Sequence, residues 1–217
     1  MWDQVVGQER AVGLLRRAAE RPVHSYLLVG PRGSGVDEAA RCFAAALIAP
    51  EADERAWDLA RRGRHPDIVE VDPPESILRV DHARVIVEEA HRSPIEGGRK
   101  VVVLFDAERL NEAAANKLLK TVEEPPPRSV VVLLTAYPEE LPATIRSRCQ
   151  RVDFGSLSEA AVRDALEAAG TTGTRLDALA RLAGGRLDRA DALAGRLGLP
   201  PAPGARESAP GVWVQGD

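Results

Sequence analysis

The apolar run Ser25-Tyr26-Leu27-Leu28-Val29 stops at Gly30-Pro31-Arg32-Gly33-Ser34-Gly35 and passes at once into an alanine-rich stretch over residues 37–49. Strand, glycine loop and helix in that order leave few folds open. The helix N-terminus has to sit at the end of the strand, an arrangement that suits a parallel sheet covered by helices. Further strands are expected over residues 68–71, 101–105 and 130–135, the last two without apolar alternation, as in strands covered on both faces. Amphipathic spacing predicts helices over 9–21, 80–91 and 107–124, the last stopped by Pro125-Pro126-Pro127. Strands alternating with helices make an α/β protein.

Beyond Phe154 the composition changes to Ala-, Leu- and Arg-rich helical sequence broken at Gly170, Gly173 and Gly184-Gly185. The chain therefore divides into a first domain over 1–155, a small helical domain over 156–198 and a Pro- and Gly-rich tail over 199–217 that reads as disordered. Between Pro50 and Arg64 a charged peripheral helix is anchored by Trp57 and Leu59, and His65-Pro66-Asp67 makes a turn. Lys and Arg number 29 against 33 Asp and Glu, a net charge of -4, which excludes a wholly basic nucleic-acid coat and leaves room only for local contacts. Cys42 and Cys149 are too few for a disulfide framework or an unaided zinc site. No leader or spanning run stands out, so a soluble, cytoplasmic protein with no membrane contact is expected.

A working phosphate loop reads Gly-x-x-x-x-Gly-Lys-Ser/Thr: backbone N–H groups cradle the phosphates, the lysine reaches the terminal ones and the hydroxyl holds magnesium. Here the glycines are kept, with Gly30, Gly33, Ser34 and Gly35 forming the cradle, but Val36 stands at the lysine position and Asp37 at the hydroxyl position. An aspartate beside a polyanion costs ~4 kcal/mol at ~4 Å and an effective dielectric of ~20. The strand over 101–105 should end in Asp-Glu for metal binding and water activation, yet it ends Phe105-Asp106-Ala107-Glu108. Two separate losses argue against intrinsic nucleotide hydrolysis. Arg32, early in the loop, is expected to point outward, with rescue of binding by Arg32 and Asp37 the alternative.

Five segments, Trp2-Asp3-Gln4-Val5-Val6-Gly7-Gln8, His24-Ser25-Tyr26-Leu27-Leu28, His65-Pro66-Asp67, Asn116-Lys117-Leu118-Leu119-Lys120-Thr121-Val122-Glu123-Glu124-Pro125-Pro126 and Leu141-Pro142-Ala143-Thr144-Ile145-Arg146-Ser147-Arg148-Cys149-Gln150, resemble the bacterial clamp-loader AAA+ subunits of DNA polymerase III. The resemblance implies an AAA+ P-loop-type parallel sheet with helices on both faces, followed by a helical lid. It covers about residues 1–155 well and the helical part weakly. Within the family, tau/gamma subunits look like working ATPases, whereas the delta-prime branch commonly has a defective phosphate loop and keeps Ser-Arg-Cys. Val36, Asp37 and Phe105 favour the delta-prime branch.

What the resemblance implies is a ring with tau/gamma and delta subunits that loads a sliding clamp on primed DNA, part of a DNA-directed DNA polymerase holoenzyme. This chain would be its rigid, noncatalytic member. Arg148, flanked by Ser147 and Cys149, would be an arginine finger for the neighbour's ATP; read from the residues alone, a structural ion pair near the end of the domain is the preferred reading. Arg146 would be supporting or solvated, and Cys149 a packed thiol. No ATP, magnesium or zinc is expected in this chain, since the four-cysteine module of relatives is missing from 49–64 and Asp188 lies near the phosphate-sensing arginine of active relatives. Arg186 or Arg189 could substitute for that arginine. DNA-backbone candidates are Arg92, Arg99, Lys100, Lys117 and Lys120, each also readable as a solvated charge or, for the two α-helical lysines, a subunit contact. Relatives continue into a collar domain that the sequence after Pro200 does not supply. An atypical tau/gamma-like ATPase and a free-standing AAA+ interaction module are the competing expectations.

Overall fold

The structure is a computed structural model that describes residues 2–49, 53–72, 76–172 and 175–195. The expected tail over 199–217 and the last positions of the expected helical domain lie outside these residues. Five apolar or half-apolar runs, β1 (Ser25–Val29), β2 (Ile68–Val71), β3 (Lys100–Leu104), β4 (Ser129–Thr135) and β5 (Gln150–Asp153), pair into one sheet. Its order is β2-β3-β4-β1-β5 and every pairing is parallel. Each crossover carries at least one helix, as parallel pairing requires.

Successive side chains alternate between the two faces, and the core splits accordingly. Tyr26, Leu28, Val101, Val103, Phe105, Val130 and Val132 meet α1 (Glu9–Glu20), α2 (Val36–Ile48) and α3 (Glu54–Arg61) on one side. Leu27, Val29, Val102, Leu104, Val131 and Leu133 meet α4 (Val80–His91), α5 (Glu112–Glu123) and the short α6 (Ala143–Arg146) on the other. Trp57 is 1% exposed and packs edge-on against Trp2 at 6.2 Å, which fixes α3 to the first core. A third cluster, built on Val162, Leu166, Leu179, Ala183 and Ala190, joins α7 (Glu159–Ala168), α8 (Arg175–Ala183) and α9 (Leu187–Leu193).

Two elements differ from the sequence reading. The helix expected from Ala107 begins only at Glu112: Asp106 takes a left-handed backbone at φ 50, a 3-10 turn follows over Ala107–Arg109, and the Asn111 carboxamide caps α5 by accepting from Ala114 N–H at 2.8 Å. The second is β5, for which no strand was expected. It buries only Val152 and is otherwise exposed, with Arg151 and Asp153 paired across its surface at 2.7 Å. A charged edge strand carries too little apolar signal to be read as one.

Candidate functional site

The carboxyl ends of β1, β3 and β4 converge on the glycine loop, the position where parallel sheets hold ligands. Gly30 N–H donates to Thr135 carbonyl at 3.0 Å and anchors the loop to β4. Any side chain at Gly30 would collide with Phe154, whose Cβ lies 2.7 Å from where a Cβ would stand. Gly33 and Gly35 have φ of +73° and +88°, a region open to glycine. Gln8, missed in the sequence reading, sits beneath the loop and donates through Nε2 to Ser34 carbonyl at 2.9 Å and Gly155 carbonyl at 2.7 Å. Its partners lie 26 and 147 residues away, so no local pattern announces them.

Of the three substituted positions, Val36 and Phe105 are buried and Asp37 is half-buried. Val36 is 4% exposed and belongs to the core cluster, so its side chain faces the sheet. Phe105 is 1% exposed, with the Arg41 guanidinium 5.4 Å from its ring, and offers no oxygen to a cation. Arg41 in turn binds both Glu70 oxygens at 2.9 Å, tying α2 to β2.

Arg32 does not point outward as expected. Its Nη2 pairs with Asp106 Oδ2, because the left-handed turn at Asp106 brings that carboxylate back under the loop. Asp106 is also 3.4 Å from Arg109 Nη1, and Arg109 reaches Asp72 at 3.6 Å. Asp106, at the end of β3 beside the loop, is thus already held by two guanidinium groups. Asp188 of α9 lies against Gly33, and Arg186 binds it through Nε at 3.1 Å and Nη2 at 2.6 Å. An apolar side chain in place of lysine, a carboxylate already neutralised and another carboxylate facing the cradle do not suit a magnesium-bound triphosphate. Among the described residues no group of three or more His, Cys, Asp or Glu is arranged to hold a metal ion.

The second candidate lies between α6 and β5. Arg148 is exposed, with its Nε 2.6 Å from Glu123 Oε1 of α5 and its Nη1 donating to Thr144 carbonyl at 2.9 Å and Ser147 Oγ at 3.3 Å. Ser147 Oγ donates to Thr144 carbonyl at 3.2 Å, which tightens the same turn. Burial pushes the Cys149 thiol up to about 12 and the Cys42 thiol up to about 11, leaving both as inert packed thiols at neutral pH. Arg146 is exposed at the end of α6.

Of the backbone-contact candidates, Lys117 and Lys120 are exposed on α5 and Arg99 is half-buried. Arg92 is exposed but paired with Glu89 at 2.8 Å. Lys100 has to be struck from that group. It is 4% exposed, and its Nζ donates to Pro66 carbonyl at 2.9 Å and lies 3.4 Å from Glu89, so it serves the interior.

A family model described as "DNA polymerase III, delta subunit" matches residues 7–158. The chain belongs to this family. It is 41% identical over 135 residues to the delta' subunit of Pseudomonas aeruginosa DNA polymerase III, covering 58% of this chain and 41% of that protein. Identity to the Escherichia coli delta' subunit is 44% over 98 residues, 44% of this chain and 29% of the relative. The Bacillus subtilis tau subunit is 35% identical over 170 residues, 74% of this chain and 30% of tau. The chain thus spans less than half the length of these curated relatives. With the family match, they place the chain with the delta'-type subunits of DNA polymerase III, related to tau and gamma.

The solved structure of a DNA polymerase III gamma subunit-related protein from Thermotoga maritima superposes with a TM-score of 0.64 at 28% identity, over 85% of this chain and 60% of that one. A RuvB variant from the same organism, at 18% identity and a TM-score of 0.61, covers 89% of this chain and 63% of RuvB and shares the fold alone. The parallel sheet with its lid is therefore an AAA+ P-loop-type fold. No described helix is long and apolar enough to cross a membrane.

Proposed function

We propose that this delta-prime-type subunit performs no nucleotide chemistry of its own and instead presents Arg148 to ATP held by a neighbouring tau/gamma subunit, within a complex that places a sliding clamp on primed DNA. The observation that carries the reading is the pairing of opposite fates: the glycine loop is spanned by internal ion pairs, whereas Arg148 stands at the surface. Its partner Glu123 is 41% exposed, and a surface ion pair of this kind is worth only ~0.2–1 kcal/mol. A phosphoryl group offers the guanidinium more charge and a matched bidentate geometry, so exchange of Glu123 for phosphate is favourable. Neither ATP, magnesium nor zinc is assigned to this chain.

Substitution Arg148→Ala in the reconstituted complex tests the reading. Hydrolysis at the interface served by this chain should fall about 10³-fold or more, the range in which a finger supplied in trans acts. Total turnover should drop by that interface's share, with assembly intact by gel filtration and the Arg146→Ala complex near wild-type. Unchanged turnover in a complex that contains Arg148→Ala defeats the finger. Micromolar binding and turnover of Mg-ATP by the isolated chain would instead make it an atypical ATPase.

A further inference from the structure

The helical lid touches the first domain at Gly7, against which Leu157 and Ala161 pack, and at the glycine loop. Leu187 N–H, at the start of α9, donates to Gly33 carbonyl at 2.8 Å. Asp188 follows and packs so tightly that a Cβ on Gly33 would fall 2.0 Å from its Oδ1. Burial alone would raise the Asp188 carboxyl, but the Arg186 hydrogen bonds and the nearby Arg186 and Arg32 charges outweigh it and hold the carboxyl below the usual carboxylate range. Arg32 is itself paired with Asp106, which Arg109 links to Asp72. A run of alternating charge thus leads from the lid, across the loop, to the ends of β3 and β2: Arg186, Asp188, Arg32, Asp106, Arg109, Asp72. Three guanidinium groups face three carboxylates, so the run is neutral without any ligand.

We propose that Asp188 is an internal stand-in for an anionic ligand, holding the lid on the glycine loop so that domain and lid keep one arrangement with or without nucleotide. The inference rests on the noncatalytic reading above and gives that reading a cause: in place of a bound polyphosphate, the chain supplies its own anion to the same loop. A lid closed by a covalently attached carboxylate has no reason to respond to nucleotide. A subunit so built is rigid by construction.

Hydrogen exchange on the full chain tests it. In the wild-type protein, protection of the Leu187 amide should be the same with and without Mg-ATP. In Asp188→Ala that amide should exchange about tenfold faster or more, while amides of Val131–Leu133 in β4 keep their protection and report an intact core. Asp188→Asn, which keeps the shape and removes the charge, should move Leu187 in the same direction and covers the case in which the alanine variant fails to fold. Pyrophosphate should restore protection at Leu187 in Asp188→Ala and do nothing in the wild type.

Unchanged Leu187 exchange in both variants overturns the proposal, and so does a lack of response to pyrophosphate in Asp188→Ala, which would leave Asp188 a structural residue only. Mg-ATP binding and turnover by the isolated wild-type chain with Leu187 undisturbed would sink the noncatalytic reading and leave the stand-in contact standing.

Discussion

Asp67 shows how one carboxylate can organise a distant loop. It is fully buried and accepts N–H groups of Ile95, Glu96 and Gly97 at 2.6, 2.8 and 2.5 Å, while its own N–H donates to His65 Nδ1 at 3.1 Å. Burial alone would raise the carboxyl, but the three N–H groups outweigh it and hold Asp67 below the usual range. Burial lowers His65. Asp67→Ala should cost about 2–3 kcal/mol, seen as a lower urea midpoint at unchanged slope. Both pKa values are depressed on folding, so their stabilisation is complete above the unfolded values of 6.5 for His65 and 3.8 for Asp67, and is lost as pH falls through the lower folded ones. Stability followed from neutral pH downward should therefore decline in two steps, the first below 6.5 and absent from a His65→Asn variant. The turn at His65-Pro66-Asp67 is legible from sequence. Its grip on residues 28 to 30 positions later is not, because nothing local encodes a partner that far along the chain.

Helix α5 places Lys117, Lys120 and Glu123 at successive three-residue steps on an exposed face, with Arg148 attached at the Glu123 end. If the two lysines meet DNA phosphates in the assembled complex, Lys117→Ala with Lys120→Ala should flatten the slope of log affinity against log salt by about 0.9 per lysine. A slope identical to wild type would assign that face to solvent or to a neighbouring subunit. The face itself can be read from sequence, since Ala114, Leu118 and Val122 recur at helical spacing and are buried. The start of the helix cannot, because the left-handed Asp106 and the pairing it makes with Arg32 depend on a loop far upstream. Strand β2 begins and ends where its apolar residues do, whereas β5 exists because β1 leaves an edge to be covered, which is a tertiary fact.

At the level of the whole molecule the sheet carries two cores and the lid a third, and the lid reaches the sheet domain at Gly7 and at the one loop whose glycines suggested a ligand. The family could be recognised from Asn116 to Pro126 and from Leu141 to Gln150 before any coordinates, since those segments carry charges and turns that a merely well-packed chain has no use for. The ion pairs that close the loop could not, because Arg32, Asp106 and Asp188 are far apart in sequence and only the fold gathers them. The two native thiols lend themselves to a practical end. With Cys42 at about 11 and Cys149 at about 12, hardly any thiolate exists at neutral pH, so a maleimide dye would choose a cysteine introduced at exposed Leu182 over either of them. Lid position could then be followed by fluorescence in an otherwise unaltered chain.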